Sequence, residues 1–377
     1  MIIAINTRGL PDDYPDEYRC FLYETINRIT GNNPEHQFIF ISDRKDNRPL
    51  VAGDNVRQLV SGPAARYPLL WKFWFDIKVP ALLKKYKADV FVSCDGICSL
   101  STKVPQCLVL QDLAFLQQSS FLKKSHLNFY KKYTAKFLRR AKSIATVSEF
   151  SKQAIVSQYN TDVSAIDVVY SGVNENFQAK NDEEKLTVKN KYSDGKEYFV
   201  YAGAIHPAKN LVNLLKAFSV FKKRQQTSMK LLLAGNLANK YGSFKESLKS
   251  YKYRNDVVLV ENVADGELVK IIGAAYGLMN PSLYEGFVSS VLQALRCDVP
   301  VITTAGFSMQ EITNGAALCV DANNHKDIAD KMMLLYKDES LRKKLIEKGR
   351  SVAGDYNWDR TADLLWQSIL KACKQNP

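Results

Sequence analysis

Short β-branched runs alternate with longer helical patterns along the whole of this 377-residue chain, and they do so in two consecutive sets. In the first set, residues 2–5, 37–42, 89–93, 107–110, 143–147 and 167–170 read as strands, with helical patterns near 17–30, 70–86, 122–141 and 149–158. In the second, strands are expected at 198–202, 230–234, 257–260, 277–280, 299–303 and 317–320, with helices near 210–225, 242–252, 266–273, 289–297 and 325–350. Such alternation builds βαβ units, whose crossovers cover both faces of a parallel sheet. Two sets predict two doubly wound domains, in which ligands bind at the carboxyl ends of the strands. The stretch 171–186, SGVNENFQAKNDEEKL, is polar and has no apolar period, so it reads as the boundary. A last helix is expected near 357–374.

Composition narrows the class of protein. Apolar residues make up 46% and charged residues 24%, enough apolar material for two cores in a soluble protein. No run approaches the roughly 18 apolar residues that cross a bilayer. The opening MIIAINTRG has no basic region before its apolar run, so it reads as a first strand and not a signal peptide, and a cytoplasmic location is expected. Seven scattered cysteines then favour reduced thiols. Cys94 and Cys98 are close, but no second Cys or His pair completes a zinc site, and the four histidines are dispersed. No metal and no cofactor are therefore expected. The net charge of +13 favours polyanionic partners: nucleic acid, an anionic membrane face or phosphorylated small molecules.

Two strand–helix turns carry chemistry. In PSLYEGFVSSVLQALRCDVPVITT, residues 281–304, a strand end is followed by Glu285-Gly286-Phe287 and a helix beginning near Ser289, with Ser289 and Ser290 as natural N-cap residues. This turn sets a carboxylate beside a helix N-terminus, where backbone N–H groups suit phosphate or sugar oxygens. In YAGAIHPAKNLVNLLKAF, residues 201–218, Gly203 closes a strand, and Lys209 and Asn210 precede an amphipathic helix. A cation sits poorly at the positive end of a helix dipole, and an anionic ligand between the two would resolve the conflict. A capped βα turn and a solvated lysine are the plain alternatives.

Taken together, the G…KN turn and the P-S-x-x-E-G-F turn resemble those of retaining glycosyltransferases of family 4, which have the GT-B fold. ATVSEFSKQAIV (145–156), IDVVYSGVNENF (166–177), QEITNGAALCVDANN (310–324) and WDRTADLLWQSI (358–369) extend the resemblance over nearly the whole chain. It implies two Rossmann-like domains facing a central cleft: an acceptor domain over 1–180 with the returning helix of 357–377, and a donor domain over 181–356. It also implies a hexosyltransferase that moves a sugar from a GDP- or UDP-linked donor to a glycan or lipid-linked acceptor in surface polysaccharide synthesis. Lys209 would hold the diphosphate, with Gly203, His206 and Asn210 in the same turn. Glu285 would touch the donor sugar, the backbone from Gly286 through Phe287, Val288 and Ser289 to Ser290 would hold sugar or phosphate oxygens, and Gln293 would hold the ribose. Gln111 and Asp112 would face the reacting sugar from the acceptor domain. No D-x-D pair occurs, unlike in the metal-dependent GT-A class.

The chain departs from the family at several of these places. Gln293 replaces the second motif carboxylate, Val288 replaces a glycine and so sets a side chain against the donor, and Gln111 replaces the catalytic-site histidine. Ala204 and Ala208 stand where members often carry arginine, Glu261 and Asp298 stand where glycine is common, and the Gly-rich N-terminal loop keeps only Gly9. A missing diphosphate arginine removes on the order of 1.5–3 kcal/mol of charged hydrogen bonding. The alternative is thus a catalytically impaired GT-B paralogue acting as a binding or partner protein.

Much of the basic character lies in residues 66–87, with Trp71, Phe73, Trp74 and Phe75 among lysines, and in 121–142. Basic amphipathic helices with aromatics suit an anionic membrane surface, so peripheral attachment through the first domain is expected. Alternatively, the aromatics are core and the lysines a solvated face. No nucleic-acid recognition motif occurs, and no nucleic-acid partner is expected.

Overall fold

The structure, a computed structural model, describes residues 1–8, 16–45, 53–117, 119–237 and 242–374. The Gly9 stretch, residues 9–15, lies outside the described residues. The chain divides into two compact units, Met1–Gly172 with Asn357–Pro377, and Val173–Tyr356.

Unit 1 runs β1 (Ile2–Asn6), α1 (Asp16–Asn32), β2 (Gln37–Ser42), β3 (Val56–Val60), α2 (Pro68–Phe73), a π-helical turn (Trp74–Lys78), α3 (Val79–Lys85), β4 (Val90–Ser93), β5 (Gln106–Val109), α4 (Ala114–Gln117), α5 (Lys124–Arg140), β6 (Ser143–Thr146), α6 (Glu149–Tyr159) and β7 (Ile166–Val168). Its strands are ordered β3-β2-β1-β4-β5-β6-β7, with every pairing parallel. The inner strands are buried on both faces and therefore read as mainly apolar runs without polar alternation. β3 was not anticipated. It is an edge strand whose Arg57, Gln58 and Val60 are exposed, so its apolar signal is weak.

Unit 2 runs α7 (Asp182–Ser193), β8 (Tyr198–Ala202), α8 (Leu211–Gln225), β9 (Lys230–Ala234), α9 (Gly242–Lys249), β10 (Val257–Val260), α10 (Asp265–Gly273), β11 (Gly277–Asn280), α11 (Ser289–Arg296), β12 (Val301–Thr304), α12 (Phe307–Thr313), β13 (Ala317–Val320), α13 (His325–Lys337) and α14 (Glu339–Gly354). The strand order is β10-β9-β8-β11-β12-β13, again all parallel. Side chains alternate along β8. Tyr198, Val200 and Ala202 enter one core, and Phe199 and Tyr201 enter the core on the other face of the sheet.

Two helical expectations need correction. The end of the polar stretch 171–186 is not loop: α7 starts at Asp182, closed by a capping box in which Asn181 and Glu184 satisfy each other's backbone N–H groups. Lys191 and Tyr192 then tie α7 to Glu267 of α10, so polar groups do much of what an apolar face does elsewhere. The helix expected over 325–350 is two helices. Asp338 leaves helical geometry and caps α14 by accepting from the Leu341 N–H at 2.8 Å.

The last helix, α15 (Trp358–Lys374), belongs to unit 1. Trp358 packs edge-on to Phe21 of α1, and Ser143 of β6 donates to the Ser368 carbonyl at 2.7 Å. The chain leaves and re-enters unit 1 at a close crossing. A β-carbon on Gly172 would lie 2.5 Å from the Trp358 nitrogen, so only glycine fits there. The seven cysteines form no disulfide among the described residues, and Cys94, Cys98, Cys107 and Cys297 are buried. No described helix is long and apolar enough to cross a membrane.

Candidate functional site

In each sheet the strand order reverses between two neighbours, β1 and β4 in unit 1 and β8 and β11 in unit 2. Such a reversal opens a crevice at the carboxyl ends of the two strands. Both crevices carry the same kind of pair: a cation after the first strand and a carboxylate after the fourth.

In unit 2 the pair is Lys209 and Glu285. β8 ends at Ala202, and the chain turns through Gly203 at φ 141°. The Gly203 carbonyl sits 1.8 Å from where a β-carbon on Gly235 would be, so Gly235 must lack one. A 3₁₀ turn over Pro207–Lys209 follows, and Asn210 takes left-handed geometry at φ 60°. The Asn210 amide donates to the carbonyls of Pro281 at 3.0 Å and Ala322 at 2.7 Å. One side chain thus ties together the ends of β8, β11 and β13.

The second turn is held just as closely. The Leu283 N–H donates to the Ala208 carbonyl at 3.0 Å, joining the two turns directly. Thr304 donates to the Ser282 carbonyl at 2.7 Å, and Ser308 to the Glu285 carbonyl at 3.0 Å. With its backbone fixed, Glu285 directs its carboxylate to the Lys209 ammonium, Oε1 to Nζ 2.5 Å. The Lys209 side chain keeps 22% of its surface exposed and that of Glu285 keeps 9%. The conflict between Lys209 and the α8 dipole therefore has an internal answer, since Glu285 is the anion beside the lysine.

His206 completes the first turn. Its Nδ1 accepts from the Ala208 N–H at 3.2 Å, which requires an unprotonated nitrogen. Burial, and then the charge of Lys209, lower its pKa from 6.5 and favour that form.

The start of α11 corrects two expectations. Its N-cap is Val288, which has no side chain to cap with, while Ser289 already lies inside the helix and Ser290 is buried. The Val288 side chain, 2% exposed, packs into the core with Val291 and Leu292. It therefore does not stand over the crevice. Its φ of −135° is one that any residue adopts. Phe287 and Gln293 are half-buried on the same segment. Asp298, where glycine is common in the family, does hold a positive φ of 60°, and its carboxylate makes two 2.6 Å bonds to Arg350.

In unit 1 the corresponding pair is Arg8 and Asp95, each with 2% of its side chain exposed. Arg8 donates to Asp95 at 2.5 Å and to the Ala65 carbonyl at 3.0 Å, and lies 5.4 Å from the ring centroids of both Trp71 and Phe75. This pair is therefore buried, unlike the lysine of the pair in unit 2. Gln111 and Asp112 follow β5 in the same unit. Asp112 accepts from the Ala114 N–H at 2.9 Å and starts α4, and the Gln111 carbonyl accepts from Thr146. The structure thus joins Gly203, His206, Lys209, Asn210 and the segment from Glu285 to Gln293 in unit 2, and places Gln111 and Asp112 in unit 1. Sequence reasoning missed Gly235, Thr304 and Ser308. The Ala-Gly repeated at 202–203 and 234–235 signals the first; the two hydroxyls carry no local signal.

Residues 182–352 match the family model "Glycosyl transferases group 1", and residues 24–177 match "Glycosyltransferase Family 4". The chain is 25% identical over 249 residues to O-antigen chain mannosyltransferase B of Escherichia coli, covering 66% of this chain and 65% of that protein, just under two thirds of its length. It is 26% identical over 286 residues to O-antigen chain mannosyltransferase RfbU of Salmonella typhimurium, covering 74% and 73%. Among solved structures it resembles sucrose-phosphate synthase from Thermosynechococcus elongatus with a TM-score of 0.79 at 15% identity, over 97% and 98% of the two chains. Anabaena Alr3699/HepE in complex with UDP-glucose gives 0.73 at 13% identity, over 98% and 99%.

Proposed function

Because this chain belongs to the glycosyltransferases of group 1 and family 4 and has the GT-B fold, we propose that it transfers a hexose from a nucleotide-diphosphate sugar to a glycan or lipid-linked acceptor, with retention at the anomeric carbon. The observation that carries this reading is the solvent-reachable Lys209–Glu285 pair at the switch point of unit 2. Lys209 takes the diphosphate, and Glu285, released from the lysine, accepts hydrogen bonds from the donor sugar. The charge that grows on the departing diphosphate then meets a fixed cation, which is the interaction that lowers a transfer barrier. Gln293 accepts from the ribose. The sugar named in both curated relatives is mannose, and surface-antigen synthesis is the setting their names supply, so a mannosyl donor is the first to test. UDP-glucose, bound by the Anabaena structure, is the second.

The test is nucleotide binding followed by transfer. Binding of one nucleoside diphosphate and transfer of its sugar would establish the reading; no binding at millimolar ligand would end it. Gln111 in place of a histidine favours a second reading, a donor-binding protein with little turnover. Binding without transfer would select that one.

A further inference from the structure

In unit 1, Trp71, Trp74 and Phe75 are core residues and Leu69 beside them is exposed, so burial alone accounts for where these aromatic rings stand. Burial does not account for Phe307 of unit 2, which is half-buried. It is the first residue of α12, and its φ is 53°. Left-handed backbone is costly for a residue with a bulky side chain, because the β-carbon crowds a neighbouring carbonyl. Nine described residues other than glycine have positive φ. Six are asparagine or aspartate, whose short polar side chains tolerate it. Lys87 and Gln226 follow α3 and α8, and a left-handed residue at a helix end satisfies the last carbonyls. Phe307 opens a helix, so it gains nothing of that kind.

The ring shows what offsets the cost. Phe307 meets Tyr284 edge to face, with centroids 5.3 Å apart and ring planes at 61°. Tyr284 is buried and directly precedes Glu285. Changing φ turns the Cα–Cβ bond about the chain, so the left-handed geometry is what aims the Phe307 ring at Tyr284. The turn from β12 into α12 grips the same segment at two further places, Thr304 on the Ser282 carbonyl and Ser308 on the Glu285 carbonyl. Those two bonds fix the main chain before and after Tyr284, and the ring contact fixes Tyr284 itself. The carboxylate that meets Lys209 extends from the last of these points. Strained residues persist where the surrounding structure over-determines them, and they cluster at binding and catalytic sites.

We propose that Phe307 is a positioning residue for donor-sugar recognition: it braces Tyr284, so that the Glu285 carboxylate is held at the crevice in the orientation the sugar hydroxyls require. The proposal deepens the donor-site reading and rests on it. The test is calorimetric titration of the whole chain with GDP, UDP, GDP-mannose and UDP-glucose. A bare diphosphate reads Lys209, and a sugar conjugate reads Glu285 as well. Phe307→Gly removes the ring and the left-handed cost together, so it is expected to fold, which circular dichroism checks. It should weaken binding of the sugar conjugate by about tenfold and leave the matching diphosphate within about twofold. Phe307→Asn, a residue type this backbone geometry tolerates, is a second ringless variant with the same expected result. Phe307→Tyr keeps the ring and should bind both ligands like the parent chain. In a Glu285→Ala background, Phe307→Gly should cause no further loss, since the group it positions is gone. Conjugate binding equal to the parent's in the ringless variants would overturn the proposal and leave the donor-site reading standing. A loss shared equally by diphosphate and conjugate, or one that adds in full to that of Glu285→Ala, would mark a general structural role and overturn it too. A parent chain that binds none of the four ligands ends the donor-site reading, and the proposal with it.

Discussion

Lys209 and Glu285 are 76 positions apart and meet because their strands are neighbours at the point of reversal. Removing one partner leaves the other, buried Glu285 or half-buried Lys209, less compensated, at a cost of about 1–3 kcal/mol. Lys209→Ala and Glu285→Gln should therefore each abolish most transfer, and Lys209→Ala should also destabilise the ligand-free protein. The double variant Lys209→Ala/Glu285→Ala should cost less than the two alanine variants summed, because both singles disrupt one pair. Thermal unfolding of the set, beside transfer rates, checks this, and strict additivity would mean that the two groups do not interact. His206 adds a pH dependence. Its folded pKa lies below 6.5, so the unfolded chain takes up the proton first as pH falls. Its contribution is complete above about pH 6.5 and is lost below it. His206→Asn, which keeps an acceptor at the cap, should flatten the stability profile between about pH 7 and 5 relative to the parent.

At the scale of elements, the two switch points show how burial divides one arrangement into two roles. Arg8 and Asp95 are buried and paired, and Arg8 anchors the Ala65 carbonyl and the Trp71 ring of α2 to the end of β1. Arg8→Ala leaves a buried carboxylate uncompensated, which costs about 3–5 kcal/mol. Urea unfolding of this variant should show a loss of that size. Replacing Arg8 and Asp95 together by apolar residues should cost less, since no lone charge remains. Helix ends carry a second lesson. α6, α7, α8 and α12 stop at Asn160, Asp194, Gln226 and Asn314, all in left-handed geometry where glycine is the usual residue. Glycine follows at once after Asp194 and Asn314, as Gly195 and Gly315, while α6 and α8 end with no glycine to mark the stop in sequence.

For the whole molecule, unit 1 is discontinuous and depends on α15 for closure. Trp358→Ala should destabilise unit 1 by about 3–5 kcal/mol through the cavity left beside Phe21, and leave unit 2 unchanged. The four tryptophans, Trp71, Trp74, Trp358 and Trp366, all lie in unit 1. Intrinsic fluorescence therefore follows unit 1, and calorimetry follows both units. The variant should lower the fluorescence transition while a second calorimetric transition stays in place. A nucleoside diphosphate at 100 times its dissociation constant should raise that second transition by about 2.7 kcal/mol of stability. A single transition reported equally by both methods would contradict this independence.

Periodicity by itself determined the two parallel sheets, because strands buried on both faces and helices buried on one leave patterns that need no partner to be read. It also marked the turns that carry Lys209 and Glu285, since strand ends and helix starts are local events. β3 escaped because an edge strand exposes half its side chains, and α7 because its ends and contacts are polar. The remaining decisions belonged to the tertiary structure. That Lys209 pairs with Glu285, that Ser308 and Thr304 hold the turn, that Val288 turns inward and that Trp71 is core while Leu69 is surface all depend on which distant segment packs alongside. A side chain's sequence neighbours are silent on that point, since the strand order and the facing of each helix are fixed only when the sheets assemble.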